Sequence, residues 1–391
     1  MSIAVDRDLA FLDAIRKVAD DVAAPHADDV DREARFPAET IDALRAEGAL
    51  SALVPTELGG GGVSFEAIAA ASFELGRRCG SSAMVFAMHQ IQVASIARHL
   101  EHATWFADYL GAVAREQRLI ASVTSEVGTG GDLGRSIAAV IPDGNGLATF
   151  EKQAPTVSYG ANADDFFTTL RRSPDAEAGD QVWVLTRRDQ TKLEQTGTWD
   201  PLGMRGTCSP GYVVRAEFPV DQILPTPFPK VATESMVPIS HILWSHLWLG
   251  IATDAFDRAR AFVRASARQR PDQTPPTAIR LSHLMSQLSL LRAEVSSGLR
   301  DFGDASASPD RARLSELATV LRFNNLKIAA SEQAPRVCQD AMGVCGIVGY
   351  KNDTPFSVGR HLRDTMSACL MIANERIHQT NASLLLIAKD V

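Results

Sequence analysis

The spacing of hydrophobic residues changes twice along the chain, and this change constrains the fold more than any other feature. Apolar residues recur three and four positions apart from Leu9 to Val22, and again from Leu281 to Leu299, as on one face of a helix. Between these regions, short runs of Val, Ile, Thr and Phe alternate with turns such as Pro142-Asp-Gly-Asn-Gly146. The sequence therefore predicts an α+β fold, mostly α, in which antiparallel β structure separates two helical regions.

The two changes of pattern predict three domains. Residues 1–118 form a predicted N-terminal helical domain, residues 119–228 a middle antiparallel β-domain and residues 229–391 a C-terminal helical bundle. The connecting stretches near residues 118 and 229 are short. We therefore expect the three domains to pack against one another instead of moving freely.

Composition excludes several classes of function. The 391 residues are 45% hydrophobic and carry a net charge of −8 with acidic and basic residues interleaved, so we expect no nucleic-acid partner. The N-terminus is charged, and the most apolar stretch, 242–252, is too short to cross a bilayer, so we expect neither export nor membrane insertion. Five scattered cysteines without a CxxC pair indicate reduced thiols in a cytoplasm, with no disulfide framework and no metal site.

A loop rich in glycine and hydroxyl residues is the first candidate for chemistry. The segment Ser122-Val-Thr-Ser-Glu-Val-Gly-Thr-Gly-Gly-Asp132 does not fit the dinucleotide pattern G-x-G-x-x-G, because the third glycine would fall at Leu133 and no βαβ unit follows. Its hydroxyls and free backbone N–H groups suit an anionic or heteroaromatic ligand. The alternative is that the segment is an ordinary turn.

Other catalytic motifs are absent from the sequence. There is no HExxH, no G-x-S-x-G and no P-loop, and His361 and His378 stand alone. Lone histidines more often serve structure than catalysis.

Four segments of the chain resemble signatures of the acyl-CoA dehydrogenases. Pro55-Thr-Glu-Leu-Gly-Gly60 resembles their Pro-x-Glu-Tyr-Gly-Gly turn, and Thr124-Ser-Glu-Val-Gly-Thr-Gly-Gly-Asp132 resembles their Val-Thr-Glu-Pro-x-Ala-Gly-Ser-Asp loop. Trp199-Asp-Pro-Leu-Gly-Met-Arg-Gly-Thr207 is similar to a third signature, and residues 339–346 with Arg360-His-Leu-Arg-Asp364 are similar to a fourth. All four stand in the family's order across nearly the whole chain, which is therefore identified as a member of the acyl-CoA dehydrogenase superfamily.

The resemblance implies a C-terminal four-helix bundle, with FAD bound between sheet and bundle, and a homo-oligomer, dimer or tetramer, in which a neighbouring subunit closes the site. FMN is the alternative cofactor. The residues that would contact the flavin of their own subunit are Ser122, Thr124, Ser125, Gly130, Gly131, Thr156 and Ser158. Arg268, Gln339 and Gly343 would reach the flavin of the neighbour, and Asn374 stands where the family has a threonine near the adenine or pyrophosphate.

The chain departs from the family at the positions that matter most for catalysis. The glutamate that abstracts the α-proton aligns with Ile372, and a shift of one residue gives Met371. The alternative glutamate position falls near Ser240, and His241 stands where a CoA-contacting arginine is expected. Further departures are Thr156 for a tryptophan, Gly131 for a serine and Ile279 for a glutamine.

Three functions are compatible with these departures. A flavin-dependent dehydrogenase would desaturate an acyl thioester and pass electrons to an acceptor, with Glu375 or His378 as the replacement base. A flavin-dependent monooxygenase, either a hydroxylase or an N-oxygenase, would use oxygen and need no such base. A non-catalytic flavin-binding subunit would complete the site of a partner. The sequence favours the dehydrogenase, followed by the monooxygenase.

Overall fold

The structure, a computed structural model, describes residues 3–269, 273–307 and 311–388. Six helices form the N-terminal region: α1 (Ile3–Val18), α2 (Ala24–Arg32), α3 (Ala38–Ala46), α4 (Phe65–Gly76), α5 (Gly80–Ala97) and α6 (Thr104–Glu116). Helix α4 begins at the N-cap Ser64, whose hydroxyl accepts a hydrogen bond from the Ala67 N–H. Helix α5 is buried on almost all sides, and it forms the wall of this region that faces the middle of the molecule.

Seven strands form two sheets in the middle region: β1 (Ile120–Val123), β2 (Ile141–Pro142), β3 (Leu147–Ala154), β4 (Asp165–Arg171), β5 (Gln181–Arg187), β6 (Thr191–Gln195) and β7 (Tyr212–Pro219). One sheet has the order β1-β4-β5 and the other the order β2-β3-β7-β6. Burial alternates strictly along β3, so one face of its sheet packs on the core. All strand pairs are antiparallel except β1 with β4, which run parallel.

The C-terminal region is helical again. Its helices are α7 (Phe228–Val231), α8 (Val237–Gln269), α9 (Thr277–Ser306), α10 (Leu317–Cys345), α11 (Ile347–Tyr350), α12 (Gly359–Met366) and α13 (Asn374–Leu385). The α+β, mostly α architecture that the sequence predicts is thus confirmed. The boundaries at residues 118 and 228 remain predictions, although α6 ends just before the first and α7 begins at the second.

Helices α4 and α8 join the two helical regions by a very close crossing. A Cβ atom on Gly76 would lie 2.4 Å from the carbonyl oxygen of Leu247, and one on Gly250 would lie 2.3 Å from that of Phe73. Only glycine permits this approach, because any side chain would separate the helices.

One continuous hydrophobic core runs through all three regions. Within the part of the chain that the structure describes, no helix is long and apolar enough to span a membrane.

Candidate functional site

A cavity of about 750 Å³ lies where the three regions meet. Its walls come from α5, from the segments that follow β1 and β3, from the start of α8 and from the segment 363–376, which includes the end of α12 and the start of α13. Seven of the residues predicted to contact flavin line it, namely Ser122, Thr124, Ser125, Gly130, Gly131, Thr156 and Ser158. The structure therefore brings together two segments that lie about thirty residues apart in the sequence.

The hydroxyl groups of this set form a partly connected network. Ser125 Oγ donates to the carbonyl oxygen of Thr156 at 2.7 Å, and Ser209 Oγ donates to Ser158 Oγ at 2.9 Å. The hydroxyls of Ser122 and Thr124 have no hydrogen-bond partner among the described residues, although both residues line the cavity. These two groups are consequently free to bind a ligand.

A buried ion pair holds the glycine loop in place. The Glu126 carboxylate is 6% exposed and accepts hydrogen bonds from the backbone N–H groups of Ile137 at 3.1 Å and Ala138 at 2.6 Å, and from Ser136 Oγ at 2.8 Å. Lys152 Nζ lies 3.6 Å from the same carboxylate, and burial lowers the pKa of this lysine to about 8. Glu126 thereby fixes the far end of the loop, so that the backbone around Gly130 faces the cavity.

The guanidinium group of Arg376 lies on the glycine loop. A Cβ atom on Gly130 would come within 2.9 Å of Arg376 Nη2, and one on Gly131 would lie 3.5 Å from Nε. Both glycines have positive φ angles, +61° and +83°. Sequence analysis missed Arg376, because a single arginine in an amphipathic helix carries no signal of its own.

The rest of the cavity is apolar and rich in methionine. Six of the nine methionines of the chain line it: Met84, Met88, Met204, Met236, Met366 and Met371. Trp244 of α8 and Ile91 of α5 lie in the same wall. A lining of flexible thioether side chains adapts to apolar ligands of different shapes.

Ile372, which the resemblance aligns with the family's catalytic glutamate, lies in the cavity wall. Ile372 lines the cavity with a left-handed φ of +50°, and both Met371 and Ser240 line it as well. Among the described lining residues, Asp132 has the only carboxylate, and there is no histidine. Asp132 belongs to the glycine loop, where its Oδ1 accepts a hydrogen bond from the Gly134 N–H at 2.9 Å.

The two replacement bases suggested by the sequence lie elsewhere. Glu375 and His378 are exposed residues of α13 and are not part of the cavity lining. His241 is buried against the carbonyl oxygen of Phe323 at 3.1 Å, and burial lowers its pKa to about 3. No group suited to abstract a proton thus faces the cavity from these positions.

A buried lysine organises the segment that contains Ile372. Lys327 Nζ of α10 donates to the carbonyl oxygens of Ala368 at 3.0 Å and Ile372 at 2.7 Å, and to Asn374 Oδ1 at 2.7 Å. Asn374 also donates to Ser331 Oγ at 3.1 Å. The amide of Asn374, predicted to lie near the adenine or pyrophosphate, therefore makes its hydrogen bonds inside the protein.

The signatures in the middle and C-terminal regions pack on each other beside the cavity. The Met204 N–H donates to Asp364 Oδ1 at 2.7 Å, and Arg363 donates to the carbonyl oxygen of Leu202 at 2.9 Å while pairing with Asp31. Burial raises the pKa of Asp364 to about 6. This contact connects both signatures to α2 of the N-terminal region.

The residues expected to serve a neighbouring subunit lie on the surface. Arg268, near the end of α8, and Gln339 and Gly343, both in α10, are exposed and lie outside the cavity lining. Their proposed contacts with a neighbour's flavin remain predictions.

Comparison with known proteins finds similarity to the acyl-CoA dehydrogenases. The model of the acyl-CoA dehydrogenase N-terminal domain matches residues 6–116. L-evernosamine nitrososynthase from Micromonospora sp. is 26% identical, over 88% of this chain and 82% of that protein. The mitochondrial short-chain specific acyl-CoA dehydrogenase of Bos taurus is 24% identical, over 89% of this chain and 82% of that protein.

Solved structures share the fold over nearly the full length. FMN-bound TdsC from Paenibacillus sp. A11-2 has a TM-score of 0.82 at 20% identity, over 96% of this chain and 97% of that chain. The nitrososynthase from Micromonospora carbonacea var. africana has a TM-score of 0.81 at 21% identity, over 98% and 97%. The resemblance to acyl-CoA dehydrogenases is thus confirmed by the match at residues 6–116 and by relatives of 24–26% identity that align along most of the chain.

Proposed function

We propose that the chain is a flavin-dependent monooxygenase that acts on a small, largely apolar molecule. The observation that carries this proposal is the cavity lining, in which Asp132 has the only carboxylate among the described residues and Ile372 occupies the position of the family's base. Removal of an α-proton from a thioester needs a positioned base, whereas oxygenation does not. The lining therefore reverses the order suggested by sequence, which favoured dehydrogenation of an acyl thioester.

The residues of the cavity fit a flavin. The free hydroxyls of Ser122 and Thr124 suit the polar edge of the isoalloxazine ring, and the glycine loop suits a phosphate. We propose FMN in preference to FAD, because Asn374, which the resemblance aligns with a threonine beside the adenine or pyrophosphate, already bonds to Lys327 and Ser331. Similar solved proteins, TdsC and KijD3, hold FMN.

The chain's own residues supply orientation and exclusion of water. When bound and reduced, a flavin supplies the activation of dioxygen. The methionine-rich wall, with Trp244 and Ile91, holds an apolar substrate and keeps water from the reacting atoms. The hydroxyl network of Ser125, Thr156 and Ser158 fixes the opposite polar wall.

Acyl-CoA dehydrogenation is the second candidate, because relatives such as the bovine short-chain enzyme align over most of the chain. It would need a base other than the residue at position 372. We also propose a cytoplasmic homo-oligomer, dimer or tetramer, in which Arg268 reaches the phosphate of the neighbour's flavin. Gln339 and Gly343, which the resemblance assigns to the adenosine half, would contribute only if FAD were bound.

The experiment loads purified protein with FMN, reduces it anaerobically and mixes it with ¹⁸O₂ and a panel of apolar probes that includes indole and dibenzothiophene. These probes are chosen because the similar TdsC structures include a dibenzothiophene monooxygenase and an indole-bound form. We expect an ¹⁸O-labelled product by mass spectrometry. Rapid anaerobic bleaching of the oxidised flavin by an acyl-CoA would instead establish the dehydrogenase, and a lack of both reactions would favour a non-catalytic subunit.

A further inference from the structure

We propose that Arg376, together with the backbone N–H groups of Gly130 and Gly131, forms a subsite for the phosphate monoester of FMN within a single subunit. This inference rests on the proposed flavin dependence and adds the residue that would recognise the phosphate. Arg376 is not part of any of the four signatures by which the family was recognised.

The first argument is geometric. The Arg376 guanidinium lies so close to the loop that a Cβ on Gly130 would be 2.9 Å from Nη2. The backbone N–H groups of Gly130 and Gly131 have no hydrogen-bond partner among the described residues. Arg376, Gly130 and Gly131 all line the same cavity. Free backbone N–H groups next to a guanidinium are the donor set that phosphate oxygens require.

The second argument concerns charge. Within the described ranges, no carboxylate oxygen lies within 4.0 Å of the Arg376 guanidinium, whereas Arg363, the other arginine of the lining, is paired with Asp31. Asp132, the only carboxylate among the described lining residues, forms no ion pair with Arg376 either, and its Oδ1 accepts from the Gly134 N–H. Arg376 is therefore an unpaired cation at the edge of a cavity, and a dianionic phosphate would neutralise it.

The third argument is the composition of the loop. Residues 130 and 131 are both glycine, so the loop offers no side-chain hydroxyl to a phosphate at these two positions. Arg376 supplies charged donors at the same place, with Nε 3.5 Å from where a Cβ of residue 131 would lie. A charge-assisted bond of this kind is stronger than one from a neutral hydroxyl. The guanidinium and both backbone donors of this subsite thus come from one subunit.

The test compares FMN with riboflavin, which lacks the phosphate. Dissociation constants of both oxidised flavins are measured by calorimetry for the wild type, Arg376→Gln, Arg376→Lys and the exposed control Arg300→Gln. In Arg376→Gln we expect FMN binding to weaken about tenfold or more, while riboflavin binding is unchanged. Arg376→Lys should recover part of the loss, and Arg300→Gln should behave as the wild type.

Unchanged FMN affinity in Arg376→Gln would overturn the subsite. An equal loss for FMN and riboflavin would also overturn it, because Arg376 would then only shape the loop. If neither flavin binds to the wild type, the flavin dependence fails and the subsite with it. Because binding is measured without turnover, a protein that binds FMN through Arg376 but oxygenates nothing would keep the subsite and refute only the monooxygenase.

Discussion

The ammonium group of Lys327 donates a 2.7 Å hydrogen bond to the carbonyl oxygen of Ile372, from a side chain that is fully buried. Ile372 has a φ of +50°, which is unfavourable for a β-branched residue. The hydrogen bonds of Lys327 to Ala368 and Asn374 stabilise the same turn. Burial lowers the pKa of Lys327 to about 8, so the turn depends on a desolvated cation.

Lys327→Met should loosen this turn. The substitution keeps an unbranched side chain but removes the ammonium group, so the carbonyl oxygens of Ala368 and Ile372 lose their donor, while Asn374 Oδ1 keeps its bond from Ser331 Oγ. We expect the free energy of unfolding to fall by roughly 1.5–3 kcal/mol. Urea denaturation measures the change, with Lys192→Met at an exposed position of β6 as the control. A loss no larger than that of the control would show that the turn holds without the lysine.

Ile372→Glu should introduce dehydrogenase chemistry if the cavity admits a thioester. The new carboxylate would lie in a largely apolar wall, where desolvation raises its pKa toward the range of a useful base. Stopped-flow absorbance would follow anaerobic flavin bleaching with acyl-CoA substrates of increasing chain length. We expect bleaching by the variant with at least one substrate and little by the wild type. Fast bleaching by the wild type would reveal a base elsewhere, and Glu375→Gln would then be the next variant.

Glu126→Ala should release the glycine loop. Lys152 would lose its counterion, and three donors at residues 136–138 would lose their acceptor, so we expect a loss of roughly 3–5 kcal/mol in stability and weaker flavin binding. Glu151→Ala removes an exposed partner of Arg215 and should cost no more than about 1 kcal/mol. Equal effects of the two substitutions, in thermal unfolding and flavin titration, would contradict the anchoring role.

The fold should lose stability in mild acid. Burial lowers the pKa of both His89 and His246 to about 4, from 6.5. Since protons then bind the unfolded state more readily, stability is complete above about pH 6.5 and declines toward pH 4, by up to roughly 1.4 kcal/mol per pH unit for each histidine.

His89→Gln tests this contribution. His89 Nδ1 accepts from the Ile120 N–H at 3.1 Å and Nε2 donates to the Leu50 carbonyl at 2.7 Å, so the variant should be less stable at pH 7 and less sensitive to acid. Unfolding curves from pH 7 to pH 4.5 measure both effects. His283→Gln, exposed on α9, should keep the wild-type slope, and so would His89→Gln if His89 did not contribute.

Arg268→Ala should weaken flavin binding although Arg268 lies outside the cavity of its own chain. An arginine that reaches a phosphate across a subunit boundary contributes about tenfold or more in dissociation constant. Flavin titration of the assembled protein measures the effect, with exposed Arg264→Ala as the control. Identical affinities for wild type and Arg268→Ala would show that Arg268 does not contact the flavin of a neighbouring subunit.

Local patterns in the sequence predicted the helices well, since the helical spacing from Leu281 to Leu299 lies within α9 (Thr277–Ser306). The glycine loop and Thr156 line one cavity, and their contact with a flavin stays a prediction. The parallel pairing of β1 with β4 was not predicted, because alternation of apolar residues does not reveal the direction of a neighbouring strand.

Residues whose role depends on distant contacts escaped prediction. Lys327 lies in a helix that reads as amphipathic, and lysines are almost always exposed, so nothing indicated that it caps a turn some forty residues later. Arg376 lies close to Gly130 in space although the two are far apart in the sequence, and no local sequence pattern indicates this contact.

The methionine lining described above has a chemical cost for a monooxygenase. Thioethers are themselves oxidised, to polar sulfoxides. Each oxygen equivalent that does not reach a substrate would meet sulfur in Met84, Met371 or one of their four neighbours in the wall. Turnovers that release oxidant without oxygenating a substrate would thus make the pocket progressively more hydrophilic. The affinity for apolar substrates would fall with each such turnover, and reduction of the methionine sulfoxides would restore it.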